Sequence, residues 1–190
     1  MKKLIILPAI LFTLFITKLC AQTDAEMKVW KEYMTPGEVH RMIAAADGEW
    51  TEKILMWMDP AATTPSETVS TTTNEMILGG RYQLSKTKGT MMGMPFEGMS
   101  LLGYDNTKKV FTSTWVDNFG TGTMTMEGVW NDATKSIELK GKSFDPTTGK
   151  DANIRQVIKF IDNDHQEMQM FETKTGSEKK TMEIKMTRKK

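Results

Sequence analysis

The stretch of sequence that decides the fold is TMEIKMT, residues 181–187, in which polar and apolar side chains alternate without interruption. Met182, Ile184 and Met186 share one side, and polar residues separate them. A period of two residues is typical of a β-strand that buries one face and exposes the other. The stretch GTMTMEGVW, residues 122–130, has the same period, so the pattern is not confined to the end of the chain.

Turn signals divide the chain after Gly48 into segments of similar length. Clusters such as GG, DNT, NFG and DPTTG separate the alternating runs, and residues of these types favour turns. They predict ten strands, at residues 48–58, 66–78, 81–89, 96–104, 108–117, 121–130, 135–144, 150–162, 165–174 and 178–188.

Every predicted link between strands is short, and no helical stretch intervenes to carry a parallel crossover. The sequence therefore predicts an all-β fold, an antiparallel up-and-down meander. Two edges of such a meander stay unpaired unless the first strand pairs with the last, so we expect closure into a β-barrel. A barrel of more than about eight strands has more interior space than its side chains fill, which predicts a ligand-sized cavity.

Residues 22–47 are predicted to form an N-terminal helical segment. Thr23-Asp24-Ala25-Glu26 has the form of a capping box, and Met27, Trp30 and Met34 follow at helical spacing. A second capping box, with proline at the first helical position, is predicted at Thr35-Pro36-Gly37-Glu38. We therefore expect two short helices ahead of the barrel domain, which is assigned to residues 48–190.

Residues 1–21 have the parts of a secretory signal peptide: basic residues, then an apolar run from Leu4 to Ile16 that is too short to span a bilayer. We expect cleavage after Ala21, a periplasmic or secreted protein, and no membrane span in the mature chain. The alternative is a lipoprotein anchored through Cys20, although Leu19 stands where that motif normally has a small residue.

Charge and cysteine content exclude several classes of function. The 190 residues include 25 Lys and Arg and 24 Asp and Glu. Lys2, Lys3 and Lys18 lie in the signal, so cleavage leaves 22 basic and 24 acidic residues, a net charge of −2. This balance argues against a nucleic-acid partner, which needs a concentrated positive field. Cys20 is the only cysteine, so the cleaved chain has no disulfide or thiolate chemistry.

Several motifs follow one another along the chain: HRMIAAADGEW at 40–50, LGGRY at 78–82, GMPFEG at 93–98, GYD at 103–105, WVD at 115–117 and a G-x-W at 128–130. In this order they resemble the uncharacterised secreted bacterial family known as domain of unknown function 1579 (DUF1579), over roughly residues 38–188. Gly48-Glu49-Trp50 also resembles the G-x-W that opens lipocalin and calycin barrels.

The resemblance implies a lipocalin-like barrel and no particular activity. It implies that Gly48 and Trp50 belong to a closed barrel end, where a basic side chain from the last strand covers Trp50. Lys185 and Arg188 are both candidates for that role. It also places a histidine at position 40, for which we expect a polar bridge between helix and barrel, whereas His165 is expected in an exposed turn.

Six residues are predicted to line the cavity and bind a ligand, from the assumed phase of each strand: Trp57, Tyr82, Met99, Trp115, Met126 and Arg155. Asp117 ends a strand, and Arg81 or Arg155 paired with it would suit a carboxylate-bearing ligand. The same pair would suit a hydrolase or isomerase with Asp117 as base. The alternative for the pair is a structural ion pair. No G-x-S-x-G elbow occurs, so no catalytic residue is assigned.

The glycine-rich stretch MMGMPFEG, residues 91–98, is predicted to be a rim loop in which Met92, Met94 and Phe96 form an apolar lip over the cavity. Hairpin turn chemistry alone is the alternative. A further alternative is a Cu(I) site with thioether ligands from Met91, Met92, Met94 and Met99. Most of the 17 methionines fall at inward positions, however, where they fill space, so neither a metal nor a cofactor is assigned.

Together these features predict a binding module that holds a small apolar or amphipathic molecule inside the barrel. The alternatives are an enzyme that uses the same cavity and a methionine-based copper protein. The oligomeric state is left open.

Overall fold

The structure is a computed structural model that describes residues 23–58, 63–174 and 176–190. The predicted signal peptide and Cys20 lie outside the described residues. The described residues fall into two compact units, of which the first ends at Met34 and the second is Thr35–Lys190. In the first unit helix α1 spans Asp24–Met34. Its capping box is confirmed, because the Glu26 N–H donates to Thr23 Oγ1 over 3.2 Å and the Thr23 N–H donates to Glu26 Oε2 over 2.7 Å.

The second unit consists of a short helix and ten strands. Helix α2 spans Glu38–Ala44. The strands are β1 Gly48–Met56, β2 Ser66–Ile77, β3 Tyr82–Met91, β4 Met94–Asp105, β5 Val110–Asp117, β6 Met124–Asn131, β7 Ser136–Asp145, β8 Lys150–Phe160, β9 His165–Lys174 and β10 Ser177–Arg188.

The sheet closes into an antiparallel barrel, as predicted. Each strand pairs with its neighbours in sequence, and β1 also pairs with β10, which places Trp50 opposite Arg188 and Met56 opposite Met182. Closure pairs the backbone of the last strand on both sides, so the strand that contains TMEIKMT is not an exposed edge.

The length of a link between strands differs from the prediction most at the methionine-rich stretch. β3 continues to Met91 and β4 begins at Met94, so the link between them is only Met92 and Gly93. Both residues have positive φ, 52° and 77°. This backbone is typical of a two-residue hairpin turn whose twist matches that of the strands it joins.

Side chains that alternate along each strand point either into the barrel or out to solvent. On β1 the inward residues are Trp50, Glu52, Ile54 and Met56, all buried, and the residues between them are more exposed. We call the interior the lumen. The end where β1 begins, next to α2, is the capped end. The end where β1 finishes, next to the Met92-Gly93 turn, is the rim end.

The capped end holds a densely packed apolar core. Ile43 of α2 is 0% exposed and belongs to a cluster of buried residues from five strands: Leu102, Phe111, Met126, Ile137, Leu139 and Ile154 are its other members. Because one face of α2 joins this cluster, the helix closes the barrel at this end.

Helix α2 begins later than predicted. Gly37 is its N-cap, and the Gly37 N–H donates to Nδ1 of His40 over 3.1 Å. The prediction of a cap at Thr35 is wrong because the acceptor comes from a histidine inside the first turn. The His40 ring also hydrogen-bonds the backbone of Tyr104 and meets the Tyr104 ring edge-on, with 6.0 Å between centroids. His40 therefore bridges α2 and β4.

Arg188 of β10 closes the capped end from outside the core. Its guanidinium carbon lies 4.3 Å from the ring centroid of Trp50, which is 1% exposed. Nη2 donates to the Ala45 carbonyl over 2.6 Å, Nη1 donates to the Asp47 carbonyl, and Nε donates to the Asn163 carbonyl over 2.9 Å. We call this arrangement the Arg188 clasp. It joins β10 to Trp50 of β1, to the chain between α2 and β1, and to the link between β8 and β9.

The clasp requires a glycine at position 48. Gly48 has a φ of 118°, and a Cβ there would lie 3.1 Å from Nη1 of Arg188. Lys185, the other candidate, points outward and lies 3.7 Å from a carboxylate oxygen of Glu183. Of the two basic residues on the last strand, Arg188 covers Trp50.

Replacing Arg188 by lysine should destabilise the barrel. A lysine keeps the charge but cannot donate to three carbonyls in different directions or stack a planar group on Trp50. We expect Arg188→Lys to lower the free energy of unfolding by about 2 kcal/mol, measured by urea denaturation. Lys185→Ala is the control and should change it by less than about 0.5 kcal/mol. Equal effects of the two variants would contradict the clasp.

Stability should depend on pH through His40. Burial holds the pKa of His40 below its ordinary value of 6.5, so the folded state binds fewer protons than the unfolded state. The free energy of unfolding therefore has its full value above pH 6.5. It decreases as the pH falls from there through the pKa that His40 has in the folded state. Urea denaturation between pH 7.5 and about 5.5 measures this. His40→Gln should remove this dependence on pH, and His165→Gln should retain it. A wild-type free energy of unfolding that does not change over this pH range would contradict the role of His40.

Candidate functional site

The half of the lumen nearer the rim end is lined by thioether side chains. A cluster around Ile54 and Ile184 contains Met56, Met91, Met168, Met182 and Met186, which come from four different strands. We call it the methionine sleeve. Unbranched thioether side chains adjust to irregular shapes at small cost, so this wall can repack around a guest.

An aromatic group lies at the rim end of the lumen. The rings of Phe96 and Trp115 are stacked, with 6.3 Å between centroids, and Phe119 meets Phe96 edge-on at 5.3 Å. Trp115 lies flat against the wall because the position beneath it is Gly98, where a Cβ would lie 2.5 Å from Cη2 of the indole.

Asp117 holds this aromatic group in place. One carboxylate oxygen accepts the Trp115 indole N–H over 2.7 Å, and the other accepts the Phe119 backbone N–H over 2.9 Å. Both oxygens therefore bond within their own strand and loop. Asp117 is a positioning residue for Trp115.

A polar wall faces the lumen from β1, β2 and β3. Glu52, Ser70, Thr72 and Thr87 are each at most 6% exposed. The Ser70 hydroxyl donates to Glu52 Oε2 over 2.5 Å, and the hydroxyls of Thr72 and Thr87 lie 2.6 Å apart. The lumen thus combines an apolar sleeve with one wall of hydroxyls and a carboxylate.

The six predicted ligand residues divide between the two faces of the sheet. Trp115 and Met126 point into the lumen, and Met126 is 3% exposed. The other four lie on the outer face: Trp57, Tyr82, Met99 and Arg155. Their expected inward orientation is wrong, because each is one residue out of phase with an inward neighbour, and a shift of one residue exchanges the faces of a strand. A ligand in the lumen would not contact these four.

The contacts of the four residues show the outward orientation directly. Lys180 Nζ lies 4.8 Å from the Trp57 ring centroid, and the Tyr82 ring covers the outside of Gly103. Arg155 forms two hydrogen bonds with Glu178, of 2.9 and 2.7 Å, and stacks on Phe171 at 4.1 Å. These are surface contacts of the barrel wall.

The structure does not bring Asp117 together with either Arg81 or Arg155, the two arginines predicted to pair with it. Arg155 bonds Glu178 on the outer face. Arg81 lies in the β2–β3 turn at the capped end and donates to the Leu78 carbonyl over 3.0 Å, whereas Asp117 lies at the rim end. The geometry therefore gives no support to a site built on Asp117 and either arginine.

The rim stretch also differs from its prediction. Met92 and Met94 are exposed beside the hairpin turn, and Phe96 is only 7% exposed within the aromatic group. Met91 joins the methionine sleeve, whereas Met99 is 47% exposed on the outer wall. The four methionines considered for copper thus point to opposite sides of the sheet and cannot surround one ion.

Within residues 23–58, 63–174 and 176–190, no group of three or more His, Cys, Asp and Glu side chains is arranged to hold a metal ion. In the same part of the chain, no helix has both the length and the apolarity to cross a membrane.

Sequence reasoning missed Glu52 and Gly98. Glu52 shares the phase of Trp50, Ile54 and Met56 in GEWTEKILM, so the period of two already placed it on the inner face. The role of Gly98 depends on a neighbouring strand, because Trp115 covers it only after β4 and β5 pair.

Comparison with known proteins agrees with this architecture. The model of a family described as protein of unknown function (DUF1579) matches residues 35–188. The crystal structure of Rv2717c from M. tuberculosis is similar, with 14% identity and a TM-score of 0.58, and the match covers 82% of this chain and 100% of that chain. A redesigned beta barrel matches at 9% identity and a TM-score of 0.41, over 79% of this chain and 96% of that chain, which is too distant to support an argument. No curated protein matches the sequence.

Fold and lumen define the class as a closed ten-strand antiparallel β-barrel whose interior is packed at one end and lined by methionines toward the other. At 14% identity the similarity to Rv2717c shows the fold alone. The chain belongs to the DUF1579 family, since the family model matches most of its length.

Adding a methyl group beneath Trp115 should disturb the aromatic group. The Cβ of alanine at position 98 would overlap the indole ring, so the ring must move. We expect Gly98→Ala to lower the free energy of unfolding by about 1–3 kcal/mol and to change the near-UV circular dichroism. Gly122→Ala is the matched control, because a Cβ there meets nothing within 4 Å. Identical spectra and stability for the two variants would contradict the packing of Trp115 on Gly98.

Proposed function

We propose that this chain is a binding protein that holds a small apolar or amphipathic molecule in the lumen and admits it from the rim end. The observation that carries the proposal is the difference between the two halves of the interior. At the capped end Phe111, Ile137 and Leu139 are at most 1% exposed. Toward the rim end, inward side chains such as Met168, Met182 and Trp115 remain partly exposed.

The chemistry of the lumen supports a guest of mixed polarity. Ligand sites are mostly apolar, with a few polar groups that fix orientation. The methionine sleeve and the Phe96-Trp115 stack supply the apolar surface, and Glu52 with its hydroxyl neighbours supplies the polar groups. Nothing in this description needs a nucleic-acid partner or a cofactor.

The proposed compartment is the periplasm or the exterior. It follows from the signal peptide expected at residues 1–21, whose removal leaves a chain without cysteine. A lumen that carries an apolar molecule through an aqueous compartment is compatible with this location.

Native mass spectrometry of the cleaved protein, purified from its own host, tests the proposal. We expect a retained molecule of low mass that is released by organic solvent. Titration of the purified apo protein with N-phenyl-1-naphthylamine, whose fluorescence rises in apolar surroundings, should show saturable binding of one probe per barrel.

A variant that fills the lumen distinguishes interior from surface binding. Ser85 points inward, partly exposed, between Asn74 and Ser100 on the neighbouring strands. We expect Ser85→Phe to weaken probe binding at least tenfold, because the ring occupies the guest's space. Thr73→Phe, on the outer face of β2, is the matched control and should bind as the wild type does. Equal binding by folded forms of both variants would refute lumenal binding.

A further inference from the structure

Among the described residues, Glu52 is the one Asp, Glu, Lys or Arg that is buried. On the inner face of β1 it follows Trp50, which closes the capped end, and precedes Ile54 and Met56 toward the rim. Across the sheet it stands opposite Ser70 of β2 and Met186 of β10. A molecule that enters from the rim end therefore passes the methionine sleeve before it reaches this carboxylate.

The protein provides Glu52 with little compensation. Glu52 is 6% exposed. Among the described residues its hydrogen-bond partner is the Ser70 hydroxyl alone, which reaches Oε2 and leaves Oε1 without a donor. Burial of a carboxylate is costly unless it is paired and hydrogen-bonded, so this site gains most from a ligand that brings donors and positive charge.

The cationic side chains at inward positions of the described strands either form other hydrogen bonds or lie far from Glu52. Arg188 donates to three backbone carbonyls in the clasp. Lys150 and Lys179 are exposed at the rim end, opposite Asp145 and Glu172 on the neighbouring strands. Within the described part of the chain, no lysine or arginine nitrogen reaches Glu52 to within the 4.0 Å of an ion pair.

We propose that the lumen selects cationic amphiphiles, with an ammonium head group bound to Glu52 and an apolar chain in the methionine sleeve. This inference rests on the proposed function and deepens it. The head group lies at the bottom of the lumen beside Ser70, and the chain runs toward the Phe96-Trp115 stack. A carboxylate of the same length brings a second negative charge to Glu52 and is rejected.

Three probes of equal chain length test the selection: dodecylammonium, dodecanol and dodecanoate. Each displaces N-phenyl-1-naphthylamine from the apo protein at pH 7.5, below its micelle concentration. We expect dodecylammonium to bind at least tenfold more tightly than dodecanoate, with dodecanol between them. Glu52→Gln should weaken dodecylammonium about tenfold and remove most of the difference between the two charged probes, since a charge-assisted hydrogen bond is lost.

Glu97→Gln is the matched control. Glu97 is on the outer face of β4, 3.2 Å from Lys88, so this variant changes the net charge by the same amount without touching the lumen. It should keep the wild-type preference. Ser70→Ala retains the carboxylate and removes its hydroxyl donor, so it should keep or strengthen the preference for dodecylammonium even if Glu52→Gln fails to fold.

The outcomes separate this inference from the proposed function. Equal affinities for the three probes, unchanged by Glu52→Gln, would leave lumenal binding intact and overturn the role of Glu52. A preference for dodecanoate would also overturn it. Failure of every probe to bind the folded wild type would overturn both proposals. A preference for dodecylammonium that survives in Glu52→Gln would assign the selection to another group and refute this one.

Discussion

The structure depends on the pairing of β1 with β10, which turns a meander of strands into a closed wall. Backbone hydrogen bonds alone do not fix where the two ends of the chain meet. The Arg188 clasp does so, because one guanidinium contacts the ring of Trp50 and donates to carbonyls before β1 and in the link between β8 and β9. Once β1 and β10 are paired in this register, each inward residue of the sheet has fixed neighbours in the lumen.

Closure also explains why the two ends of the interior differ. At the capped end α2 contributes Ile43 to a core of buried branched and aromatic side chains and Met126, with His40 fixing the helix to β4. Toward the rim the methionine sleeve surrounds Ile54 and Ile184, and glycine at position 98 replaces a side chain. The first arrangement favours stability because it leaves few alternatives for packing, and the second tolerates repacking. A barrel that binds a guest needs both properties, at opposite ends.

Polar groups inside the barrel differ in how fully they are bonded, and Asn74 Oδ1 is buried without a hydrogen-bond partner among the described residues. Near the capped end, Gln83 donates to the Ile43 carbonyl and to Asp47 over 2.9 Å each, so these groups bind α2 to the wall. Farther along, the Ser70 hydroxyl is the one hydrogen-bond donor to Glu52 among the described residues. Polar residues with complete partners stabilise the fold, whereas an incompletely satisfied carboxylate costs stability. The ligand that we propose for the lumen would complete its bonds.

The sequence by itself determined the number of strands, their order and the barrel, because alternation in segments such as TMEIKMT and the intervening turns are local properties of the chain. It also predicted the α1 capping box. The orientation of four side chains was a tertiary property: Trp57, Tyr82, Met99 and Arg155 point outward because register depends on pairing between strands. The choice of Arg188 over Lys185, the flat position of Trp115 on Gly98 and the isolation of Glu52 likewise arise only between strands. Contacts of that kind have no signature within a single stretch of sequence.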